Sequence, residues 1–262
     1  SAAVTWGRIG DILYQRGDYD EALRIRREVQ LPVYERLGDV QSATVTWAKI
    51  GDILHQRGDY DEALRIRREV QLPVYERLGD TRSAAITWGQ IGDILHRRGD
   101  YDEALRIRRE VELPVYERLG DTRSAAVTWG QIGAILHQRG DYDEAVELQL
   151  KRLETNKLLG DLDGIAAANW DLAQINLSQQ DPESATLRLI ESYTVLQQLQ
   201  RADGIAVVGA TLAALLAAAG QTRQARQIAD EGLQAALKID DSSLIEQLHS
   251  QLDQLGQGNE DT

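Results

Sequence analysis

A unit of 41 residues repeats along this chain, and this periodicity constrains the fold more than any other feature. Residues 42–82 and 83–123 differ at only six of their 41 positions. Tandem units of this length are typical of arrays in which each unit buries the apolar face of its neighbour. We predict six repeats, of which four are near-identical and two degenerate: 1–41, 42–82, 83–123 and 124–164, then about 165–204 and 205–240.

Two helices are predicted in each repeat. In the first copy, apolar residues recur at helical spacing over about residues 2–16, and Gly17 accepts the left-handed conformation that ends a helix. Asp18 and Glu21 have the spacing of a capping box, which predicts a second helix over about residues 20–37. Loops of two or three residues then require consecutive helices to lie antiparallel.

The predicted fold class is therefore all-α, a right-handed α-solenoid (superhelix) of antiparallel helix pairs. We expect a single solenoid over residues 1–256, a capping helix at about 241–255 and a disordered tail at 257–262. The alanine-rich run at 204–220 has 17 residues. A bilayer crossing needs roughly 20, so the run is better explained as a buried solenoid helix.

A proline recurs inside the second helix of the first three copies, at Pro32, Pro73 and Pro114. Pro32 has no N–H to donate to the carbonyl of Glu28. Either the helix continues with a kink, or it stops near Leu31 and a short helix restarts with proline in its first turn. We favour the continuous, kinked helix because no turn residue precedes the proline.

Composition excludes several classes of function. The chain has 262 residues, a formal net charge of −13 and no cysteine. The acidic surplus argues against generic binding of nucleic acid or an anionic membrane. Without cysteine there are no disulfides, thiolate metal sites or thiol catalysis, and we expect a cytoplasmic location. Because Ser1 rather than methionine opens the first repeat, we also expect an excerpt of a longer protein.

The repeat resembles the tetratricopeptide repeat. That family has a Trp, a Leu-Gly pair three and four residues later, a Gly-Asp/Asn-Tyr turn and an Ala in the second helix. In the first copy these positions are Trp6, Ile9-Gly10, Gly17-Asp18-Tyr19 and Ala22. The usual unit has about 34 residues. The longer unit here is similar to the subclass found in kinesin-light-chain-like proteins and in the sensor arrays of bacterial signalling ATPases.

This resemblance implies a partner and a place for it. Members of the family usually hold another protein or a peptide in a concave groove lined by the first helices. By the motif register, the groove positions are Arg8, Asp11, Tyr14, Lys49, Asp52, His55, Gln90, Asp93, His96, Gln131 and His137. Trp170 lies one position out of the tryptophan column and is a candidate aromatic anchor, whereas Trp6 and its copies are predicted to be core.

Two columns of these residues have alternative interpretations. Tyr14 and the three repeated histidines could form a metal-binding or pH-sensing ladder. However, packed helices lie about 8–10 Å apart, which favours packing or partner contact. Asp11 and Asp52 could pair with Arg8 and Lys49, which precede them by three residues. The aspartates could instead select a partner that offers Lys, Arg or other hydrogen-bond donors.

A third column consists of arginines on the second helix. The motif LRIRREV places Arg24, Arg26 and Arg27 there, and its copies do the same. These residues could form a basic ridge for nucleic acid. Asp20 and Glu28 lie four residues from Arg24, so ordinary pairing along the helix surface is the favoured interpretation.

No catalytic motif is visible in the sequence, which lacks a phosphate loop, an HExxH motif and a nucleophile elbow. We predict a non-enzymatic scaffold that binds a protein or peptide, with no cofactor, metal, nucleic acid or membrane partner. One alternative is a spacer or sensor arm of a larger multidomain signalling protein, with end-to-end self-association through its exposed N-terminal repeat face. Another is an enzyme with a site near Trp170 in the degenerate copies.

Overall fold

The computed structural model describes residues 2–257, which form 13 helices. The chain divides into two compact units, the first ending at Asp121 and the second beginning at Thr122. Unit 1 contains three helix pairs. Its first helices are α1 (Ala2–Gln15), α3 (Val40–Arg57) and α5 (Thr81–Arg98). Its second helices are α2 (19–37), α4 (60–78) and α6 (101–118).

Unit 2 also contains three helix pairs, followed by one further helix. The pairs are α7 (Thr122–Arg139) with α8 (Tyr142–Leu159), α9 (Leu162–Ser178) with α10 (Pro182–Leu199), and α11 (Ala202–Ala218) with α12 (Thr222–Ile239). The last helix is α13 (Ser242–Gln257). Residues 258–262 of the predicted disordered tail lie outside the described residues.

No strand occurs among residues 2–257, and consecutive helices form tandem pairs throughout. The predicted all-α fold class is confirmed. The single solenoid over residues 1–256 stays a prediction. None of the helices in the described part of the chain has both the length and the apolar character that crossing a bilayer would require.

Short loops end and start the helices at the predicted glycines and aspartates. Gly58 ends α3 with φ of +85°, a conformation that residues with a Cβ rarely adopt. Asp39 caps the start of α3, because its carboxylate accepts a hydrogen bond from the Ser42 N–H at 3.0 Å. The capping box predicted for the second helix is wrong: Asp18 makes no side-chain cap hydrogen bond, and Glu21 pairs with Arg24 instead.

The second helices of unit 1 continue through their prolines by means of a π-helical segment. In α2, residues Tyr19–Arg24 and Leu31–Leu37 are α-helical and Ile25–Gln30 are π-helical. The Leu31 N–H donates to the carbonyl of Arg26, five residues back, immediately before Pro32. The helix therefore continues, as favoured above. The widened turn accommodates the residue without an N–H, and α4 and α6 repeat the arrangement.

Each unit has its own apolar core. In unit 1, Ile50 and Ile53 of α3 are buried together with Ala63 and Ile66 of α4. In unit 2, one cluster of buried residues joins Leu189 of α10 to residues of α11 such as Leu212 and Leu216. In both units the apolar side chains follow the one-sided helical spacing seen in the sequence.

The first repeat offers an internal control for the contribution of this core. Ile12 and Ile53 occupy the same repeat position, but Ile12 is 55% exposed and Ile53 only 1%. Ile53→Ala is expected to lower the free energy of unfolding by about 2–5 kcal/mol, because it leaves a cavity. Ile12→Ala should lower it by about 1 kcal/mol or less, because water already reaches the side chain. Urea denaturation followed by circular dichroism measures both, and equal losses would contradict the burial assignment.

Candidate functional site

The first helices of unit 1 share one face that carries exposed aliphatic side chains at the 41-residue spacing. Val4, Val45 and Ile86 are 46%, 50% and 44% exposed. Four residues further along each helix, and therefore on the same face, the chain has Arg8, Lys49 and Gln90. We call these six residues the first-helix face. Exposed aliphatic residues are ordinary when scattered, but a column repeated in three copies is a candidate contact surface.

The aspartates predicted for the groove pair with buried arginines of the second helix. Nη2 of Arg26, Arg67 and Arg108 lies 2.7, 2.6 and 2.5 Å from Oδ1 of Asp11, Asp52 and Asp93, respectively. The arginines come from the π-helical segments of α2, α4 and α6 and are almost fully buried, whereas the aspartates stay between a third and a half exposed. Each pair therefore ties one repeat's two helices together.

A glycine makes room for each guanidinium. A Cβ on Gly10, Gly51 or Gly92 would lie 3.2–3.3 Å from the guanidinium carbon of the paired arginine. In the second repeat, Arg67 also donates through Nη1 to the Gln71 side chain at 2.8 Å. The third repeat has Glu112 at that position, so Arg108 lies between two carboxylates. Both terminal nitrogens of Arg26 and of Arg67 therefore have hydrogen-bond partners, whereas the buried Nε atoms of these two arginines make no hydrogen bond within residues 2–257. The carboxylate and the amide offset part of the cost of burying each charge.

These contacts correct two predictions about charged residues. Asp11 pairs with Arg26 of the second helix and not with Arg8 on its own helix. Lys49 was expected to pair with Asp52, but its ammonium lies 3.7 Å from Asp11 of the preceding repeat. Arg26 was predicted to lie on a surface ridge, but it is buried.

The other arginines of that motif do lie on the surface. Arg24 pairs with Glu21 at 2.6 Å and with Glu28 at 3.9 Å, and Arg27 lies 3.5 Å from Glu62 of the next repeat. Pairing along the helix surface accounts for Arg24, as the favoured interpretation predicted, although Glu21 and not Asp20 is its partner beside Glu28. Arg27 pairs with the neighbouring repeat, which the sequence did not predict.

The column of Tyr14 and the histidines packs against tyrosines at the start of the second helices. The ring centroids of Tyr14 and Tyr19 lie 5.8 Å apart, those of His55 and Tyr60 5.9 Å, and His96 packs on Tyr101 in the same way. Among the described residues, no group of three or more acidic or histidine side chains is placed to hold a metal ion. Burial is the main cause that lowers the pKa of His55 below its ordinary value.

In unit 2 the predicted site residues have different surroundings. Gln131 lies on α7 and is partly buried, and His137 packs on Tyr142 with a 2.8 Å contact to the Ser178 hydroxyl. Trp170 is partly buried and packs against the core cluster of α9, α10 and α11. Its role as an aromatic anchor stays a prediction.

An ion pair of different construction occurs in unit 2. Arg152 of α8 lies 2.7 Å from Asp171 of α9, and Gln149 also donates to that carboxylate at 3.3 Å. Burial raises the pKa of Asp171 above its ordinary value, although Arg152 opposes the shift. Here the pair joins neighbouring repeats instead of the two helices of one repeat.

The tryptophan column is core only in part. Trp129 is 7% exposed, with the Lys151 ammonium 4.0 Å from its ring centroid. Trp6 is 38% exposed, so the prediction that the whole column is core is wrong for this residue. The cause is that, within residues 2–121, no helix packs on the outer side of α1.

Sequence reasoning missed the buried arginine column, although the internal copies contain a signal for it. In the fourth repeat, Ala134 replaces the aspartate and Gln149 replaces the arginine. The two positions change together, as expected for residues in contact. The exposed aliphatic column could have been recognised in the same way, because Val45 and Ile86 follow Val4 at intervals of 41 residues.

Comparison with known proteins agrees with this architecture. A tetratricopeptide repeat family matches residues 41–111 and 123–198, and a second tetratricopeptide repeat family matches residues 10–28 and 206–231. The first match alone spans more than half of the sequence, so the chain belongs to the tetratricopeptide repeat family. None of the curated proteins compared matches it.

Solved structures with low sequence identity share the fold. One is a signal transduction ATPase with numerous domains (STAND) from Pyrococcus horikoshii that has a tetratricopeptide repeat sensor; it is 16% identical, with a TM-score of 0.77 over 97% of this chain and 38% of that protein. A putative kinesin light chain from Podosopora anserina with nearly identical repeats is 15% identical, with a TM-score of 0.61 over 75% and 96%.

A third structure is a Rap protein in complex with competence and sporulation factor. It is 11% identical, with a TM-score of 0.56 over 94% of this chain and 80% of that one. At these identities the likeness concerns the fold. This chain spans about two fifths of the length of the signalling ATPase.

The fourth repeat supplies the design for a test of the Asp52–Arg67 pair. Asp52→Ala is expected to lower the free energy of unfolding by about 2–3 kcal/mol, because it leaves Arg67 buried without its anion. This is less than the roughly 3–5 kcal/mol for breaking a fully buried pair, because the Asp52 side chain is 34% exposed. The double variant Asp52→Ala/Arg67→Gln reproduces the residues of repeat four and should recover most of the loss. Urea denaturation of both variants measures the coupling, and strictly additive losses would contradict it.

The lowered pKa of His55 predicts a pH dependence. The imidazole of His55 binds a proton less readily in the folded state than in the unfolded state. Its contribution to the free energy of unfolding is therefore complete above about pH 6.5 and declines as the pH falls below that value. Asp52, Asp93, Arg67 and Arg97 are the charged groups that act on the ring. His55→Tyr, which installs the residue of repeat one, should flatten the decline between pH 7 and 5.5 in urea denaturation. An unchanged slope would contradict the assignment.

Proposed function

We propose that the chain is a non-enzymatic interaction scaffold that binds a segment of another protein along the first-helix face of unit 1. The column formed by Val4, Val45 and Ile86 carries this proposal, because these aliphatic side chains stay exposed at the same position of three successive repeats. Membership of the tetratricopeptide repeat family supports it, since the family generally serves as an interaction module.

The partner's chemistry follows from the charges on this face. Asp11 and Asp52 are each compensated by a buried arginine, and Lys49 lies beside Asp11, so the face is less acidic than the sequence indicates. A strongly cationic partner is therefore not required. The face suits a segment with aliphatic side chains that contact Val45 and Ile86, and with polar groups that reach the half-exposed carboxylates.

A second candidate function is a sensor arm in a larger signalling protein. It is supported by the signalling ATPase, which has a tetratricopeptide repeat sensor and shares this fold. By analogy, this chain would be one part of a longer signalling protein. The two candidates are compatible, because a sensor arm of this kind would also need a binding face. A cytoplasmic location is part of both proposals.

The binding face is tested by selecting peptides and then altering the chain. Peptides displayed on phage are selected on the immobilised chain, and their affinity is measured by fluorescence anisotropy. Val45→Asp/Ile86→Asp is expected to weaken binding at least tenfold, because carboxylates replace the apolar contact at two repeats. The predicted aspartates are unsuitable for this purpose, since their removal destabilises the buried arginines.

The chain contains a matched control for these variants. Leu37 and Leu78 also occupy equivalent positions in two repeats and are 72% and 62% exposed, but they lie on the second helices. Leu37→Asp/Leu78→Asp adds the same charge and should leave peptide affinity unchanged. A selection that yields no specific peptide, or peptides equally sensitive to both double variants, would refute the proposed face.

A further inference from the structure

The second helices of unit 1 carry an exposed leucine at or next to their last residue. Leu37, Leu78 and Leu119 occupy equivalent positions of the first three repeats and are 72%, 62% and 49% exposed. Val40, which is 53% exposed, enlarges the apolar surface beside Leu37. A single exposed leucine is ordinary, but three at one repeat position form a row at the surface. We call these three leucines, together with the two charged residues before each of them, the leucine edge.

The ends of successive second helices lie beside one another, so the leucines follow each other in space as well as in sequence. An ion pair joins α2 to α4, and the equivalent pair joins α4 to α6. Arg82, in the first turn of α5, lies 2.6 Å from Asp121, which follows α6. Because Arg82 is four residues beyond Leu78 and Asp121 two residues beyond Leu119, this contact ties together the two helix ends.

A glutamate and an arginine without an ion-pair partner precede each leucine. Glu35 and Arg36 precede Leu37, and the same two residue types precede the other two leucines. All six charged side chains are exposed, and none of them pairs with an opposite charge within residues 2–257. Arg36 donates to the carbonyl of Pro32 at 3.1 Å. The other three arginines of α2 all pair with carboxylates: Arg24, Arg26 and Arg27.

A row of leucines flanked by both signs of charge is complementary to a copy of itself. When two such edges meet about a two-fold axis, their repeats run in opposite directions, so the first repeat meets the third and the second meets the second. Each glutamate can then face an arginine of the other edge, while the two leucine rows cover each other. A partner segment of one sign would instead set three of its charges against three like charges.

We propose that two copies of this chain associate side by side through the leucine edge, in an isologous contact about a two-fold axis near Leu78. The contact would remove the three leucines of each copy from water and would pair charges that have no partner within the described residues of one copy. Three leucines per copy make a small apolar interface, so the dimer is expected to be reversible. It uses no residue of the first-helix face.

Sedimentation velocity of the full chain, from micromolar to near-millimolar concentration, tests the association. The weight-average mass is expected to rise from that of one chain to that of two and no further, because an isologous contact closes on itself. Leu37→Asp/Leu78→Asp should raise the dissociation constant of the dimer at least tenfold. Val45→Asp/Ile86→Asp, which adds the same charge to the first-helix face, should leave it unchanged.

Two further variants test the pairing of charges across the contact. One variant makes the edge acidic and the other makes it basic: Arg36→Glu/Arg77→Glu/Arg118→Glu and Glu35→Arg/Glu76→Arg/Glu117→Arg. Neither should dimerise alone, because like charges would face each other. The fluorescein-labelled basic variant, titrated with the acidic one and followed by anisotropy, should form a complex that weakens with added salt. A general loss of stability could not produce this recovery.

The proposal is overturned if the chain sediments as a single copy at every concentration, if the leucine double variant dimerises as well as the unaltered chain, or if the two charge variants do not bind each other. Loss of the dimer in Val45→Asp/Ile86→Asp would also refute it, since the contact would then involve the first-helix face. Peptide affinity and self-association depend on different residues, so this proposal can fail while the proposed function holds, and the reverse.

Discussion

The buried contact between Asp52 and Arg67 is the constraint around which the rest of the repeat is arranged. The guanidinium fits because Gly51 has no Cβ, and Asp52 and Gln71 accept its hydrogen bonds. A buried cation that lacked these partners would destabilise the fold by several kcal/mol, on the order of 3–5. The contact also sets the rotation of α3. Lys49 lies one turn before Asp52 and Val45 one turn earlier still, so both remain on the exposed side.

The π-helical segment and the proline belong to the same device. Across the π-helical segment of α4 the buried residues are Ile66, Arg67, Gln71 and Leu72. Ile66 and Gln71 are five residues apart, as are Arg67 and Leu72, and a regular α-helix would not keep residues at that spacing on one face. In α8 the buried residues are Ala145, Gln149, Leu153 and Asn156, which follow the ordinary helical period. That helix is α-helical throughout and has Thr155 in place of proline. Arginine, π turn and proline are lost together, which indicates that the wide turn exists to direct the arginine inward.

The sequence was sufficient for the fold but not for the site. A 41-residue period, glycines at helix ends and one-sided apolar spacing predicted the helix pairs, because these features act within a few residues of one another. The partner of Asp11 could not be predicted in this way. Arg8, three residues away, is a plausible partner along the chain, whereas the observed partner Arg26 is fifteen residues away and reaches Asp11 only through the packing of two helices. The exposure of Ile12 could not be predicted for a similar reason. Ile12 and Ile53 lie in the same five-residue segment, IGDIL, and a neighbouring helix covers only Ile53.

The differences between copies two and three indicate which surfaces are free to vary. Five of the six substitutions lie in the first helices, and two of them, Val45 to Ile86 and Lys49 to Gln90, fall on the first-helix face. The second helices, whose residues contact the next repeat, differ only at Gln71 and Glu112. Stacking requires each second helix to match the repeat that follows, so a change there would have to be compatible with two neighbours at once. On the first-helix face Lys49 reaches Asp11 of the preceding repeat, but the side chains of Val45 and Ile86 stay about half exposed. Variation at such exposed positions allows a repeat array to acquire a particular partner without losing its fold.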